Sequence, residues 1–170
     1  MSDRLKPITR EGVPSALQKA ERYRLLNDSS AAESICLDVL EIDPANQQAI
    51  VMLLLSITDQ FAQGEGELSD GVRRAREVLP RIDDEYRRAY YAGIICERRA
   101  KAQLAHGGPS AARIAHDWFH EAMGWYERAE NSRPPGNDES LLRWNTCVRL
   151  LSRNDQIKPL EAEAYEPSFE

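Results

Sequence analysis

The chain has 170 residues, with 22 Lys and Arg against 28 Asp and Glu, which gives a formal net charge of −6 at pH 7. Hydrophobic residues make up 42% and charged residues 29%, a composition that is typical of a globular domain and excludes a collagen-like or low-complexity chain. The longest uncharged apolar run, 49–58, is half of the roughly 20 residues that a membrane span needs, and the acidic balance argues against nucleic acid, so we expect neither as a partner.

Helix-period patterns follow one another along the chain, and no stretch alternates apolar and polar residues as a half-buried strand does. The sequence therefore predicts an all-α protein of about seven helices. The predicted spans, in chain order, are about 13–26, a second helix ending near 41, 45–61, 69–79, 84–105, 110–130 and 138–151. The third helix is apolar nearly all round, and we expect it to lie at the centre of the fold.

The breaks between these helices have local causes. The run 27–30, Asn-Asp-Ser-Ser, ends the first helix and supplies an N-cap for the second. Pro44 ends the second helix because the residue before a proline avoids the helical conformation. A Gly-Gly-Pro run at 107–109 joins the two longest helices with a glycine stop and a proline start.

The cysteines and the first residues of the chain bear on its environment. Cys36, Cys96 and Cys147 lie among apolar neighbours at helical spacing and form no CxxC pair, which favours buried thiols in a reducing compartment over disulfides or a zinc ribbon. The first residues contain no apolar stretch typical of a secretory signal. We therefore expect a cytoplasmic protein, with a flexible N-terminus at 1–12, a helical domain at 13–152 and an acidic, loosely ordered tail at 153–170.

Two segments carry the same spacing of small, aromatic and proline residues. Pro44 is preceded at matching positions by Ala20, Tyr23, Ala32, Cys36 and Val39, and Pro134 by Ala122, Tyr126 and Ala129. These residues resemble the tetratricopeptide repeat (TPR) family, a 34-residue helix–turn–helix motif in which small residues let the two helices approach closely. Gly71, Ala75 and Val78 fit the same motif after about five inserted residues.

The resemblance implies a TPR-like α-α superhelix over 13–152, made of antiparallel helical hairpins. The last helix, with Trp144 and Val148, resembles the unpaired capping helix that closes such arrays. The resemblance also implies a protein-binding or peptide-binding role on the concave face formed by the first helices of each pair. The ligand class in which a TPR domain clamps the carboxylate end of a chaperone is rejected, because among the matching positions only Arg87 is a compatible residue.

The third unit of the pattern is longer than the motif. Gly93 and Ala122 fit its two small positions but lie 29 residues apart, where the motif has 12. Shared between two antiparallel helices, the excess adds about 8 residues, or about 12 Å, to each helix. The sequence therefore predicts a long hairpin that projects beyond the rest of the array.

Glu97 is the most unusual placement in the sequence. A stripe of residues steps by four and three along one helix face, so Glu97 lies in the middle of an otherwise largely apolar surface. The stripe consists of Tyr86, Tyr90, Gly93, Glu97, Ala100 and Leu104. The carboxylate either forms a buried ion pair, with Arg98, Arg99, Lys101 or Arg143 as partner, or lines a binding groove, and a role as general base is the least supported alternative.

The residues that we select for a partner-binding concave face are Arg87, Tyr86, Tyr90, Glu97 and Arg143. Trp118 and Trp125 are seven residues apart on a face that also carries alanines. That pattern favours packing against another helix, with an exposed interaction patch as the alternative. His116 and His120 form half of a metal site, but no third histidine is clustered with them and the HExxH pattern is absent, so we expect no metal.

Catalytic signatures are missing from the sequence. It contains no GxSxG motif and no glycine-rich phosphate loop, so we expect no catalytic residue, no cofactor and no enzyme. The leading hypothesis is a non-catalytic protein-interaction scaffold with a protein or peptide partner, and self-association into a homo-oligomer is compatible with it. The alternative is a small-molecule sensor or enzyme accessory domain with a pocket around Glu97.

Charge is distributed unevenly along the chain. Residues 84–153 hold 11 basic and 9 acidic residues, whereas residues 154–170 hold 1 basic and 5 acidic residues. The acidic tail is either ordinary solvated charge or a segment that folds over the basic concave surface and is displaced by an acidic partner.

Overall fold

The computed structural model describes residues 4–63 and 68–159, and within these residues every regular element is helical. The prediction of an all-α protein is confirmed. The seven α-helices are α1 (Val13–Leu25), α2 (Ser29–Ile42), α3 (Gln47–Asp59), α4 (Leu68–Val78), α5 (Glu85–His106), α6 (Ala111–Glu130) and α7 (Glu139–Arg153). Three short 3₁₀ turns accompany them at Arg10–Gly12, Gln60–Ala62 and Leu79–Arg81.

Side-chain caps fix where several helices begin. The carboxylate of Asp28 accepts a hydrogen bond from the backbone N–H of Ala31 at 3.2 Å, and the Asn46 side chain accepts one from Ala49 at 2.9 Å. Asp84 caps α5 by accepting from the N–H of Arg87 at 2.7 Å. Each cap satisfies one of the N–H groups that the first turn of a helix leaves without an intrahelical partner.

The helices pack into two hydrophobic clusters. The first is built mainly from α1 to α4, and the second from α5, α6 and α7. As predicted, α3 is central: nine of its residues are buried, more than its amphipathic neighbours α1, α2 and α4 bury. Leu55 and Tyr91 pack against both clusters and join them into one body.

The α5–α6 hairpin is the longest part of the fold. α5 has 22 residues and α6 has 20, whereas α1 to α4 have 11 to 14. At about 1.5 Å per residue α5 is about 33 Å long. The part of the hairpin that is longer than the other helices is not fully exposed to solvent. Ala102 is buried in the first cluster, and the turn Gln60–Ala62 packs against α5.

Beyond α7, a turn brings one more apolar side chain into the second cluster. The N–H of Ile157 donates to the carbonyl of Asn154 at 2.9 Å, and the Ile157 side chain is buried against the second cluster. The remainder of the predicted acidic tail, 160–170, lies outside the described residues. No helix in the described ranges combines the length and the apolar character that crossing a membrane requires.

Candidate functional site

Glu97 is buried in α5, with 1% of its surface exposed, and both of its oxygens have partners. Oε2 accepts a hydrogen bond from the Tyr126 hydroxyl at 2.6 Å. Oε1 accepts from Lys101 Nζ at 2.5 Å and from Arg143 Nη1 at 3.3 Å. Of the two interpretations that the sequence left open, the geometry therefore favours the buried ion pair over a carboxylate that lines a groove.

A glycine opposite the Tyr126 ring lets this cluster form. A Cβ atom on Gly93 would come within 2.4 Å of the ring, so only glycine leaves room for the phenol between α5 and α6. Burial raises the pKa of the Tyr126 hydroxyl, and the negative charge of Glu97 raises it further. The hydroxyl therefore stays protonated and remains a donor to the carboxylate.

The cluster presents positive charge at the surface. The Arg143 and Lys101 side chains are 38% and 43% exposed, although both are bonded to the buried Glu97. One carboxylate facing two cations leaves an excess positive charge, and that charge lies on the solvent side.

Three tyrosines of α5 lie next to this cluster. The ring centroids of Tyr86 and Tyr90 are 6.1 Å apart, and those of Tyr90 and Tyr91 are 5.1 Å apart. Tyr86 is buried and its hydroxyl donates to Asn137 at 3.1 Å, so its role is to join α5 to the segment before α7. Tyr90 and Tyr91 are half-buried, and burial raises the pKa of both hydroxyls.

A small cavity of about 200 Å³ lies between α5 and α7 beside these rings. Its walls are Tyr90, Glu139, Leu142, Arg143 and Thr146. Leu142 is 63% exposed, although it is an apolar residue of a packed helix.

We define the α5–α7 face as Arg87, Tyr90, Tyr91, Leu142 and Arg143. Arg87 is exposed, and its charge lies close enough to Tyr91 to lower the pKa of that hydroxyl, as Arg143 does for Tyr90. The structure thus brings together three of the predicted partner-binding residues and adds two that the sequence analysis missed. Tyr91 could have been found as the next aromatic after Tyr90, whereas no sequence signal marked Leu142 as exposed.

Trp118 and Trp125 lie away from this face, on α6. Both are half-buried and covered by arginines. The Arg99 guanidinium lies 3.8 Å from the centroid of the Trp118 ring, and that of Arg128 lies 4.8 Å from the Trp125 ring. They are therefore neither fully packed in the core nor a bare hydrophobic patch, because cation–π stacking covers their rings.

A larger cavity of about 770 Å³ lies beside Trp125. Its walls also include Leu79, Ala89 and Ala92, with the polar side chains of Glu85, Arg88, Arg128, Asn131 and Ser132. Glu97 lines neither this cavity nor the smaller one beside Tyr90. The space around the Glu97 carboxylate is filled by its own partners.

A second ion cluster ties three helices together. Asp59 of α3 pairs with Arg24 of α1 at 2.7 Å and with Arg98 of α5 at 2.5 Å. Arg98 Nη1 also donates to the Thr58 hydroxyl at 2.5 Å and to the carbonyl of Leu55 at 3.1 Å. Arg98, a predicted candidate partner of Glu97, therefore pairs with Asp59 instead, and this places α1, α3 and α5 side by side.

The other reactive side chains do not assemble into a catalytic or metal site. The rings of His116 and His120 lie 4.4 Å apart, but in the described ranges no three potential metal ligands come together. Burial raises the pKa of Cys36, Cys96 and Cys147 to about 12. Their thiols are therefore protonated at neutral pH and poor nucleophiles.

The α5–α7 face combines two guanidinium groups, two tyrosine rings and an exposed leucine, and the Glu139 carboxylate lies beside them in the wall of the small cavity. Tryptophan, tyrosine and arginine are the residue types that most often dominate binding energy at protein interfaces, and guanidinium groups recognise carboxylates through paired hydrogen bonds. No model of a protein family, no curated protein and no solved structure matches this chain. The evidence for its function therefore comes from its own sequence and structure.

Proposed function

We propose that this chain is a non-catalytic protein-binding scaffold that binds an acidic segment of a partner protein on the α5–α7 face. The observation that carries the proposal is the exposed Leu142 beside Tyr90 and Arg143, over a cavity that could accept one apolar side chain of the partner. Arg87 and Arg143 supply the charge for carboxylates on either side of that anchor.

We also propose that the helices form a TPR-like superhelix, with α7 as its capping helix. Three observations support this arrangement. Successive helices pack in order along the chain, the Asp59 cluster holds α1, α3 and α5 next to one another, and Gly93 contacts Tyr126 at positions where the motif has a small and an aromatic residue. In such an array the α5–α7 face belongs to the concave side.

The proposed setting is the cytoplasm, without a cofactor, and three buried free thiols support a reducing compartment. The alternative of a small-molecule pocket around Glu97 has less support, because Tyr126, Lys101 and Arg143 occupy the space around the carboxylate. The cavity beside Trp125 offers more room for such a ligand.

The test is an affinity pull-down with the tagged full-length chain from a soluble extract of its source cells. The variant Arg87→Ala/Tyr90→Ala removes a cation and a ring from the α5–α7 face. Its matched control, Arg128→Ala/Trp125→Ala, removes a cation and a ring from the α6 side. Circular dichroism first establishes that both variants are folded.

We expect one or two proteins at near-stoichiometric yield, lost with the first variant and retained with the second. A peptide from the acidic segment of the captured protein should then bind about 10-fold more weakly to Arg87→Ala, as is common for an interface arginine, and more weakly still in high salt. Loss only with the control variant would move the site to Trp125. An empty pull-down would contradict the scaffold.

A further inference from the structure

We propose that the cavity beside Trp125 binds a small zwitterion with an apolar side chain, either a free amino acid or a dipeptide. The cavity shares no lining residue with the α5–α7 face, so this site and the partner's site are separate and neither proposal depends on the other. Its volume of about 770 Å³ lies within the range of roughly 300–1,000 Å³ that is usual for small-molecule sites in proteins.

The cavity lies in a gap between two helices that pack on a third. α4 and α6 both pack on α5 but barely touch each other. The floor of the gap is one face of α5, whose residues recur at helical spacing, with charged side chains first and apolar side chains after them. This face consists of Glu85, Arg88, Ala89 and Ala92, followed by Ile95 and Cys96 in a second cavity of about 220 Å³.

The two cavities lie side by side and share Leu79, Ala92 and Trp125 as walls. The charged side chains that line the larger cavity are therefore followed directly by apolar space. The exposed pair of Arg76 with Glu121, at 3.7 Å, borders the smaller cavity. Because those two charges are paired with each other, the smaller cavity favours the apolar part of a ligand.

The charged groups of the larger cavity are available to a ligand. In the part of the chain that the structure describes, Glu85, Arg88 and Arg128 take part in no ion pair. Arg88 Nη1 donates to the carbonyl of Ile82 at 2.5 Å, which holds the guanidinium in place while its other N–H groups stay available. The Arg128 guanidinium lies 4.8 Å from the centroid of the Trp125 ring, which positions the second cation.

These charges determine the class of ligand. A simple anion would meet the Glu85 carboxylate, and a simple cation would meet both guanidinium groups, whereas a zwitterion pairs its ammonium with Glu85 and its carboxylate with the arginines. Glu85 and Arg88 are one helical turn apart, with Cβ atoms about 5–6 Å from each other, and the ammonium and carboxylate of an amino acid are close neighbours in the same way. The apolar side chain then lies against Trp125 and Ala92.

The test titrates the isotope-labelled full-length chain with phenylalanine and with the dipeptide Leu-Phe, and follows the indole N–H signals by NMR. The chain has three tryptophans, and the variant Trp125→Phe identifies the signal of Trp125. We expect that signal to shift until it saturates, and the signal of Trp144, which lines neither cavity, to stay in place. The compound with the lower dissociation constant identifies the ligand as a free amino acid or a dipeptide.

Analogues of the tighter compound test each charge. Its N-acetyl form lacks the ammonium and its amide form lacks the carboxylate, and each should bind about 10-fold more weakly, as the loss of a hydrogen bond to a charged group typically costs. Glu85→Gln should weaken the unmodified compound by a similar factor and leave the N-acetyl form unchanged. Arg128→Gln should weaken the N-acetyl form and leave the amide form unchanged.

The matched controls Glu127→Gln and Arg113→Gln change exposed side chains of α6 outside both cavities and should have no effect. Circular dichroism first establishes that all variants are folded. The proposal is overturned if neither compound shifts the Trp125 signal to saturation, or if the N-acetyl or amide form binds as tightly as the unmodified compound. Equal weakening by the controls and by the cavity variants would also overturn it.

Discussion

At the scale of single residues, Glu97 shows how a charge is kept inside a helical core. An isolated carboxylate in such a place is costly, and it persists only when its oxygens are paired and hydrogen-bonded. Tyr126 serves one oxygen from inside the core, and Lys101 and Arg143 serve the other from the surface. Lys101 and Arg143 are partly exposed, so the buried Glu97 carboxylate is paired with cations that reach solvent.

Glu97→Ala should lower the free energy of unfolding by about 3–5 kcal/mol, because it leaves the buried Tyr126 hydroxyl without its acceptor and removes the partner of two cations. Urea denaturation followed by circular dichroism measures the change. Glu97→Gln keeps an acceptor for Tyr126 and should lose less. The control Glu121→Ala, on the exposed pair with Arg76, should leave the midpoint unchanged. A Glu97→Ala protein as stable as this control would contradict the ion-pair role.

The buried thiols give stability a dependence on pH. Burial raises the pKa of Cys36, Cys96 and Cys147 from 9.0 to about 12. The folded state keeps these protons above pH 9 whereas the unfolded state releases them, so their contribution is complete below pH 9 and is lost as the pH rises toward 12.

The free energy of unfolding should therefore fall between pH 9 and pH 10, by at most about 1.4 kcal/mol per pH unit for each thiol. Urea midpoints at pH 8, 9 and 10 measure the slope. Cys36→Ala should reduce the slope, because one of the three groups is gone. Stability that is constant or rises over this range would contradict the assignment of buried, protonated thiols.

At the scale of helices, the α5–α6 hairpin depends on one close approach. Gly93 has lower helix propensity than alanine, yet a Cβ at this position would meet the Tyr126 ring at 2.4 Å. Gly124 of α6 is a matched case in the same hairpin, because a Cβ there would meet nothing within 4 Å.

The two glycines should respond in opposite directions to the same substitution. Gly93→Ala should destabilise the protein by about 1–3 kcal/mol, as overpacking of a core typically does, whereas Gly124→Ala should stabilise it by about 0.5–1 kcal/mol through helix propensity. Thermal and urea unfolding measure both changes. Equal effects at the two positions would show that the contact of Gly93 with Tyr126 does not set the helix spacing.

At the scale of the whole molecule, two hydrophobic clusters share Leu55 and Tyr91. These shared residues and the Asp59 cluster couple the two halves. The chain's three tryptophans, Trp118, Trp125 and Trp144, all pack against the second cluster. Tryptophan fluorescence therefore reports on one half, and circular dichroism reports on helices throughout.

We expect the two signals to give the same urea midpoint, because a single cooperative transition follows when the clusters are coupled. Leu55→Ala removes a shared side chain and should lower the midpoint and separate the two signals. The matched control Leu37→Ala, on the exposed side of α2, should do neither. Separate midpoints in the unsubstituted protein would mean that the two clusters unfold independently.

The sequence by itself determined the number, the boundaries and the order of the helices. Each predicted boundary lies within about two residues of the observed one because caps, prolines and apolar periodicity act over a single turn. The unusual length of the α5–α6 hairpin was also predicted, because Gly93 and Ala122 lie 29 residues apart in the sequence. The apolar stripe also marked Glu97 as unusual, although it left a buried ion pair and a groove as alternatives.

Only the tertiary structure decided which partners the charged and exposed residues take. Arg98, Arg99 and Arg143 were all possible partners of Glu97, and they contact Asp59, Trp118 and Glu97 respectively. Leu142 was apolar and helical, yet it points to solvent. The physical reason is that a long arginine side chain can reach several groups, and the choice among them depends on how helices distant in sequence are placed against one another, which no local pattern encodes.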